Sequence, residues 1–252
     1  MQARVSSSRL EGKVMRSILG KPMLARQIER VMKSRRIGTL TVATSTRSDD
    51  DAIESLCREL GVACFRGSLD DVLDRYYQAA LTSRPDHVVR LTGDCPLADP
   101  AVIDQVIDAH LADANDYTSN VLPPTFPDGL DVEVFRFSCL DTAWREATLP
   151  SHREHVTQFF QKNPVRFKIG NVSHLPDLSY LRWTVDESGD FEFVTKVFER
   201  LYRSNPGFGM ADVLGLLEQE PDLAKINAGI GRNEGLLKSL EADRAFSRKS
   251  GA

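Results

Sequence analysis

Between residues 22 and 111, short β-rich runs alternate with amphipathic helical patterns four times, and that alternation constrains the fold more than any other feature of the 252-residue chain. Pro22 suits a first helical turn, and Met23, Leu24, Ile28, Val31 and Met32 recur behind it at helical spacing. Thr39–Thr44 reads as a strand, and residues 45–49 as a polar loop whose Ser48 or Asp49 can cap a helix running to Leu60. Gly61–Phe65 repeats the strand signal, Arg66-Gly67-Ser68 turns, and Asp70–Leu81 is amphipathic. His87–Leu91 reads as a buried strand with Thr92–Leu97 as its exit, and Pro100 opens a helix carrying Val102, Ile103, Val106, Ile107 and Leu111. Such alternation implies right-handed βαβ crossovers and a three-layer α/β/α, Rossmann-like fold with a mostly parallel sheet. Ligands in these sheets bind beyond the carboxyl ends of the strands. The polar loops 3–13, 45–51, 66–71 and 92–99 all fall on that edge.

The second half is less regular. After Tyr117–Val121 and a Pro-rich turn, Leu130–Phe135 reads as a strand with Asp131 and Glu133 on one acidic face. Helices are expected near 138–147 and 152–162, strands at Val165–Ile169 and Leu181–Asp186, and a helix at Gly189–Tyr202. Helices near 210–219 and 234–245 make a C-terminal appendage. The expected organisation is an α/β domain over 1–205, an appendage over 206–246 and a frayed tail over 247–252.

Charge narrows the function classes. A net charge of −4 gives no global attraction to nucleic acid or to an anionic membrane, so any anion site must be built locally. Cys57, Cys64, Cys95 and Cys139 lack paired metal spacing, and no apolar run approaches the ~18 residues of a membrane span. These features predict a reduced, cytoplasmic setting.

The segment Met1–Lys13 holds three serines, two arginines and a Gly-Lys pair, the donor types a polyphosphate requires. It does not match Walker A spacing, and it reads equally as a solvated basic N-terminus. A phosphate loop in an α/β sheet normally follows a buried strand, yet only Met1 precedes Gln2. The first strand is therefore expected to be truncated, either because the true start lies upstream or because the central strand is short; no charged-apolar leader is seen.

Two aspartates end apolar runs, Asp94 in Gly93-Asp-Cys-Pro96 and Asp186 in Val185-Asp-Glu187. Carboxylates converging from separate strand ends would repel unless a hard cation lay between them, and Mg²⁺ takes one or two carboxylates plus phosphate oxygens. Each could instead cap a helix, Asp94 or Asp99 before Pro100 and Asp186 before the helix at 189.

Several motifs then occur in order. They are Ala3-Arg4, Ser8-Arg9-Leu10, Gly12-Lys13, Gly20-Lys-Pro-Met-Leu24, Val42-Ala-Thr-Ser45, Arg66-Gly-Ser-Leu-Asp-Asp-Val-Leu-Asp-Arg-Tyr76, Thr92-Gly-Asp-Cys-Pro-Leu97, Pro127-Asp-Gly-Leu-Asp-Val-Glu-Val-Phe135, Arg153-Glu-His-Val-Thr157 and Arg182-Trp-Thr-Val-Asp186. Together they resemble the acylneuraminate and ketodeoxyoctulosonate cytidylyltransferases, in the branch of the spore-coat polysaccharide biosynthesis protein F.

The resemblance implies the nucleotide-diphospho-sugar transferase type of sheet and a reaction between CTP and a sugar. A sugar hydroxyl, expected to be the anomeric hydroxyl of an acidic or modified sugar, attacks the α-phosphate and pyrophosphate leaves. Carried over by position, Arg9, Lys13 and Asp94 would be catalytic, and Asp94 and Asp186 would hold Mg²⁺. Ala3, Arg4, Ser6, Ser7, Ser8, Thr44, Ser45, Arg66 and Gly93 would line the nucleotide site with Arg9 and Lys13. Asp131, Glu133 and His155 would face the sugar; for the first two a solvated strand face, and for His155 a structural role, are the alternatives. Arg66 and Asp71 could instead pair at a helix start, and Tyr76-Tyr77 could be core. A homodimer is implied as well. The chain departs from the pattern at Glu11, where the family carries proline, which would set a negative charge inside the triphosphate loop. A same-fold transferase using another nucleotide or a nucleotide-sugar donor, and a nucleotide-binding protein without turnover, are the competing readings.

Overall fold

The computed structural model describes residues 1–7, 9–232 and 234–249. The expected nucleotide-site residue Ser8, and residues 250–252 of the expected tail, lie outside these. In chain order the strands are β1 Ser17–Ile18, β2 Lys21–Pro22, β3 Thr41–Ser45, β4 Ala63–Gly67, β5 His87–Arg90, β6 Tyr117–Ser119, β7 Glu133–Arg136 and β8 Ile169–Asn171. The helices are α1 Met23–Val31, α2 Asp51–Glu59, α3 Val72–Leu81, α4 Pro100–Ala112, α5 Phe137–Glu146, α6 Pro150–His155, α7 Gln158–Gln161, α8 Ser188–Leu201, α9 Met210–Gln219 and α10 Glu234–Lys249.

Residues 1–3 occupy the central row of the main sheet. Gln2 bridges Ala43 on one side and Thr92 on the other, both in parallel. Ala43 N donates to Met1 O and Ala3 N to Ala43 O, while Gln2 N donates to Leu91 O and Gly93 N to Gln2 O. This row joins the parallel pair β3/β4 to the sheet β5-β7-β6-β8. Only β7 runs against the rest, antiparallel to both β5 and β6, while β6 and β8 are parallel. The sheet is thus mostly parallel, as the alternation predicts.

Side-chain alternation along β7 feeds two separate cores, because successive residues of a strand point to opposite faces. Val134 packs with α1, α4 and α8 residues such as Leu24, Val106 and Phe198, whereas Phe135 packs with Leu73, Leu140 and Phe160 of α3, α5 and α7. Helical layers therefore cover both faces. Tyr76 and Tyr77 belong to the second core, where Tyr77 stacks on Trp144 at 4.2 Å.

Several expected boundaries move for identifiable reasons. The strand expected at 165–169 begins at Ile169, because Arg166 N and Phe167 N turn back onto Asn163 O and leave Val165 fully exposed. The run 130–135 enters the ladder only at Glu133, since Leu130 N closes a turn on Pro127 O and Val132 N is held by the Asn120 side chain. Residues 181–186 form one bridge, Arg182 with Asp128, rather than a strand. The helix expected at 152–162 splits into α6 and α7 at Val156, whose φ is 56°. At the C-terminus α10 is helical to Lys249, beyond the expected appendage boundary at 246, and packs on α6: Asp243 accepts from Ser151 N and Oγ at 2.8 and 2.6 Å. Among the described residues no helix is long and apolar enough to cross a membrane.

Candidate active site at the carboxyl edge of the sheet

The loop after the central row is shaped by its apolar residues and one glycine. Leu10 and Val14 are buried, and Val5 N donates to Asp50 Oδ1 at 2.7 Å. Gly12 sits at φ 65°, where a side chain would be strained, and donates to Val5 O. This closes the loop and sends the Lys13 stem inward, while Glu11 stays exposed and lines neither of the cavities described below. The expected clash between Glu11 and bound phosphates does not arise from this geometry.

Lys13 Nζ lies 2.9 Å from Asp186 Oδ1, 3.2 Å from Asp94 Oδ2 and 2.7 Å from Val185 O. Arg9 Nη2 reaches the same Asp186 oxygen at 2.8 Å. Two strand-edge segments deliver these carboxylates, and they are tied together by Val185 N donating to Asp94 O at 2.8 Å. Neither aspartate caps a helix. Asp99 caps α4 by accepting from Ala101 N at 2.7 Å, and Glu187 with Asp190 forms the capping box of α8. Asp186 is oriented instead by Arg182, which donates to its Oδ2 at 3.0 Å, and by its own N–H, which donates to Asp190 Oδ2 at 2.9 Å.

Burial alone would raise the Asp94 carboxyl, but the Lys13 ammonium and hydrogen bonds from Thr92 and Lys13 outweigh it and hold Asp94 at about 2. Lys13 shows the mirror image: burial works against its charge, yet Asp94 and Asp186 together raise it. Asp94 and the Lys13 ammonium are therefore both ionised at neutral pH.

Two cavities meet at this cluster. One, of about 260 Å³, is lined by Gln2, Ala3, Arg4, Ser6, Ser7, Lys13, Arg75, Gly93 and Glu154, among others. The other, of about 280 Å³, is lined by Arg90, Asp128, Asp131, Glu133, Thr157, Arg182, Arg232 and Leu236, among others. Arg9, Thr92, Asp94, His155 and Asp186 line both and form the boundary between them. Gly93 is required by the sheet itself, because a Cβ there would come within 2.8 Å of Gln2 O and of Ala3 Cβ.

The structure thus brings together Ala3, Arg4, Ser6, Ser7, Arg9, Lys13, Gly93, Asp94, Asp131, Glu133, His155 and Asp186. It does not bring Thr44, Ser45 or Arg66 to either cavity. Ser45 donates to Asp50 Oδ2 through both N and Oγ, at 3.0 and 2.5 Å, and so braces the carboxylate that holds Val5. Arg66 is spent on Asp51, Glu54 and the carbonyls of Ser45 and Arg47. Asp71 caps α3 and pairs with Arg153 rather than Arg66. Glu133 is not a solvated residue: buried, it accepts from Tyr117 Oη and Thr157 Oγ1 at 2.6 Å each and pairs with Arg90. Asp131 pairs with Arg232 at 2.7 Å, and His155 Nε2 lies 2.9 Å from Ser239 Oγ of α10.

Sequence reading missed Arg75, Arg90, Thr157 and Arg232. Arg90 carried a faint signal, a charge inside the apolar run His87–Leu91. Arg75 lies within a recognised motif but reads there as one more polar helix residue.

The cluster suits the expected Mg²⁺. Among the described residues no three His, Cys, Asp or Glu side chains converge as a protein-only metal cage. Two carboxylates and the Val185 carbonyl already surround one cation, the Lys13 ammonium, and such all-oxygen sets are what Mg²⁺ takes when substrate oxygens complete its shell.

The chain is similar to known proteins along most of its length. Residues 1–226 match the family model described as cytidylyltransferase. An uncharacterized protein of Methanocaldococcus jannaschii is 35% identical over 237 residues, covering 91% of this chain and 93% of its own. Spore coat polysaccharide biosynthesis protein SpsF of Bacillus subtilis is 31% identical over 232 residues, covering 89% and 95%. The structure of a cytidylyltransferase from Leptospira borgpetersenii superposes with a TM-score of 0.86 at 31% identity, covering 92% of this chain and 97% of that one.

Proposed function

The chain belongs to the cytidylyltransferase family, and from that premise we propose that it transfers CMP from CTP to a sugar hydroxyl with release of pyrophosphate, in the biosynthesis of a polysaccharide or glycoconjugate. The observation that carries this reading is the convergence of Asp94 and Asp186 on one cation at the boundary of two cavities. A transfer between two bound molecules needs such a geometry: each substrate in its own cavity, with the reacting phosphorus where the charged groups meet.

The cavity beside the N-terminal loop would seat the nucleotide, with Arg4, Ser6, Ser7 and Arg75 supplying donors. The inner cavity would seat the sugar against Asp131, Thr157, Gln158 and Gln161. The hydroxyl oxygen forms a bond to the α-phosphorus and gives up its proton to solvent, as the bond to the bridging oxygen breaks and pyrophosphate departs. Little covalent work falls to the protein in such a transfer, so positioning and charge neutralisation carry the rate. Arg9, on the shared boundary, would neutralise the phosphates, and Asp94 and Asp186 would hold Mg²⁺. That ion would supply further positive charge to the phosphate oxygens.

A screen of pyrophosphate release with CTP, Mg²⁺ and a panel of acidic and neutral sugars tests the reading. Release that requires CTP and a sugar is expected. Saturable CTP binding with no release from any sugar would make the chain a nucleotide-binding protein, and release with another nucleotide would change the donor. The proposed assembly is a homodimer, which light scattering of the purified chain would check.

A further inference from the structure

An ammonium has three N–H donors and no more. All three of Lys13's are committed: to Val185 O at 2.7 Å, Asp186 Oδ1 at 2.9 Å and Asp94 Oδ2 at 3.2 Å, on a side chain only 9% exposed. In this arrangement Lys13 has nothing left to give a phosphate, although it lines the nucleotide-side cavity. The same oxygens are the ones a divalent cation would need. An ammonium and a metal ion cannot both occupy the space between Asp94 and Asp186.

The carboxylates themselves are held by other means. Asp186 keeps Arg182 on its second oxygen and Asp190 on its N–H. Asp94 is anchored through its carbonyl, which accepts from Val185 N and Thr184 Oγ1. Removing Lys13 would therefore leave the pair in place but short of one positive charge. Lys13, by contrast, hangs on a flexible stem just after Gly12.

We propose that the Lys13 ammonium is a stand-in for the divalent cation: it neutralises Asp94 and Asp186 in the free protein, and entry of the metal-bound nucleotide moves it off both carboxylates and onto the phosphates. The proposal rests on the cytidylyltransferase reading for the identity of the incoming ligand. It gives the free protein a reason to keep two carboxylates side by side without a bound metal. It also makes free Mg²⁺ a poor ligand by itself, because the ion must displace an ammonium that has no phosphate to move to.

The test needs no turnover. Calorimetry with Mg²⁺ alone, in the absence of nucleotide, compares the wild type with Lys13→Met, which keeps most of the stem volume and removes the charge. If the lysine-free state is populated at about 10% or less, removing the competitor tightens Mg²⁺ by about tenfold or more. Millimolar Mg²⁺ should likewise raise the melting temperature of Lys13→Met more than that of the wild type. Equal or weaker Mg²⁺ binding by the variant overturns the proposal. Should the variant fail to fold, the wild type answers alone through the ¹⁵Nζ resonance of its buried Lys13. That signal should move on saturation with Mg²⁺ and a non-hydrolysable CTP analogue, and an unchanged resonance overturns the proposal equally. Absence of pyrophosphate release with every sugar would instead refute the proposed function and leave the exchange to stand on these two readouts.

Discussion

Arg182 grips Asp190 through two nitrogens, Nε at 2.9 Å and Nη2 at 3.1 Å, and the same guanidinium also reaches Asp128 and Asp186. Asp190 is wholly buried and takes the N–H groups of Asp186 and Glu187 as well. The start of α8 and the orientation of a candidate metal ligand are therefore one network. Asp190→Ala should destabilise the fold by roughly 3–5 kcal/mol, the usual cost of stripping one partner from a buried ion pair. Urea denaturation measures this, and a loss under about 1 kcal/mol would show that Arg182 is held sufficiently by its other partners.

Asp94→Asn and Asp186→Asn should each lower kcat for CMP transfer by at least about 100-fold, since each removes a carboxylate proposed to hold Mg²⁺ against the reacting phosphates. Circular dichroism should report a folded protein in both. Near-normal turnover in either would remove that residue from the catalytic cluster.

Arg75 and Arg66 separate by position. Arg75 Nε is buried without a hydrogen-bond partner among the described residues, and the residue lines the nucleotide-side cavity. Arg75→Leu should raise the KM for CTP by about tenfold, the worth of one charge-assisted hydrogen bond. Arg66→Ala, which breaks only contacts near the protein surface, should change it by less than about threefold. Steady-state kinetics with CTP varied reads both, and the reverse order would relocate the nucleotide.

His110 gives the stability a pH dependence away from the site. Burial first, and then the neighbouring His87 at 2.9 Å, push its pKa down to about 4 from an ordinary 6.5. The folded state prefers the neutral ring, so the unfolded chain takes up the proton first as pH falls through 6.5. Stability present above that value is lost on the way down to about 4, by roughly 3 kcal/mol from this residue. His110→Gln should flatten that part of a plot of melting midpoint against pH, and an unchanged slope would assign the loss to other groups.

The parallel core was legible because its helices and strands carry different periodicities, and the loop edge followed from the sheet's polarity. The carboxylate pair was legible for the same reason, though only the coordinates separate Asp94 from the true cap, Asp99. What stayed hidden depends on contacts distant in sequence. Arg232 meets Asp131 across 101 residues, and Arg90 meets Glu133 across 43; no local pattern announces either. Thr44, Ser45 and Arg66 were legible as strand-end residues, but nothing local says that Ser45 braces Asp50, or that Arg66 pairs with Asp51 and Glu54 of α2, away from both cavities. Alternation at Val165–Ile169 misled because Asn163 and Pro164 favour a turn there, a local preference that outweighed the apolar count.

The reversed direction of β7 separates what can be varied in this protein from what cannot. Its first residue, Glu133, stands opposite Arg90 and Ser119 at the ends of the neighbouring strands, so the chain enters this strand from the ligand edge and leaves it on the far side. Residues grafted ahead of Glu133 would reshape the wall of the cavity proposed for the acceptor, whereas residues grafted after Arg136 would lengthen the opposite face and leave that wall alone. For an engineer seeking a different acceptor, the segment to diversify is therefore the one upstream of this strand, the inverse of the choice that every other strand of the main sheet would suggest.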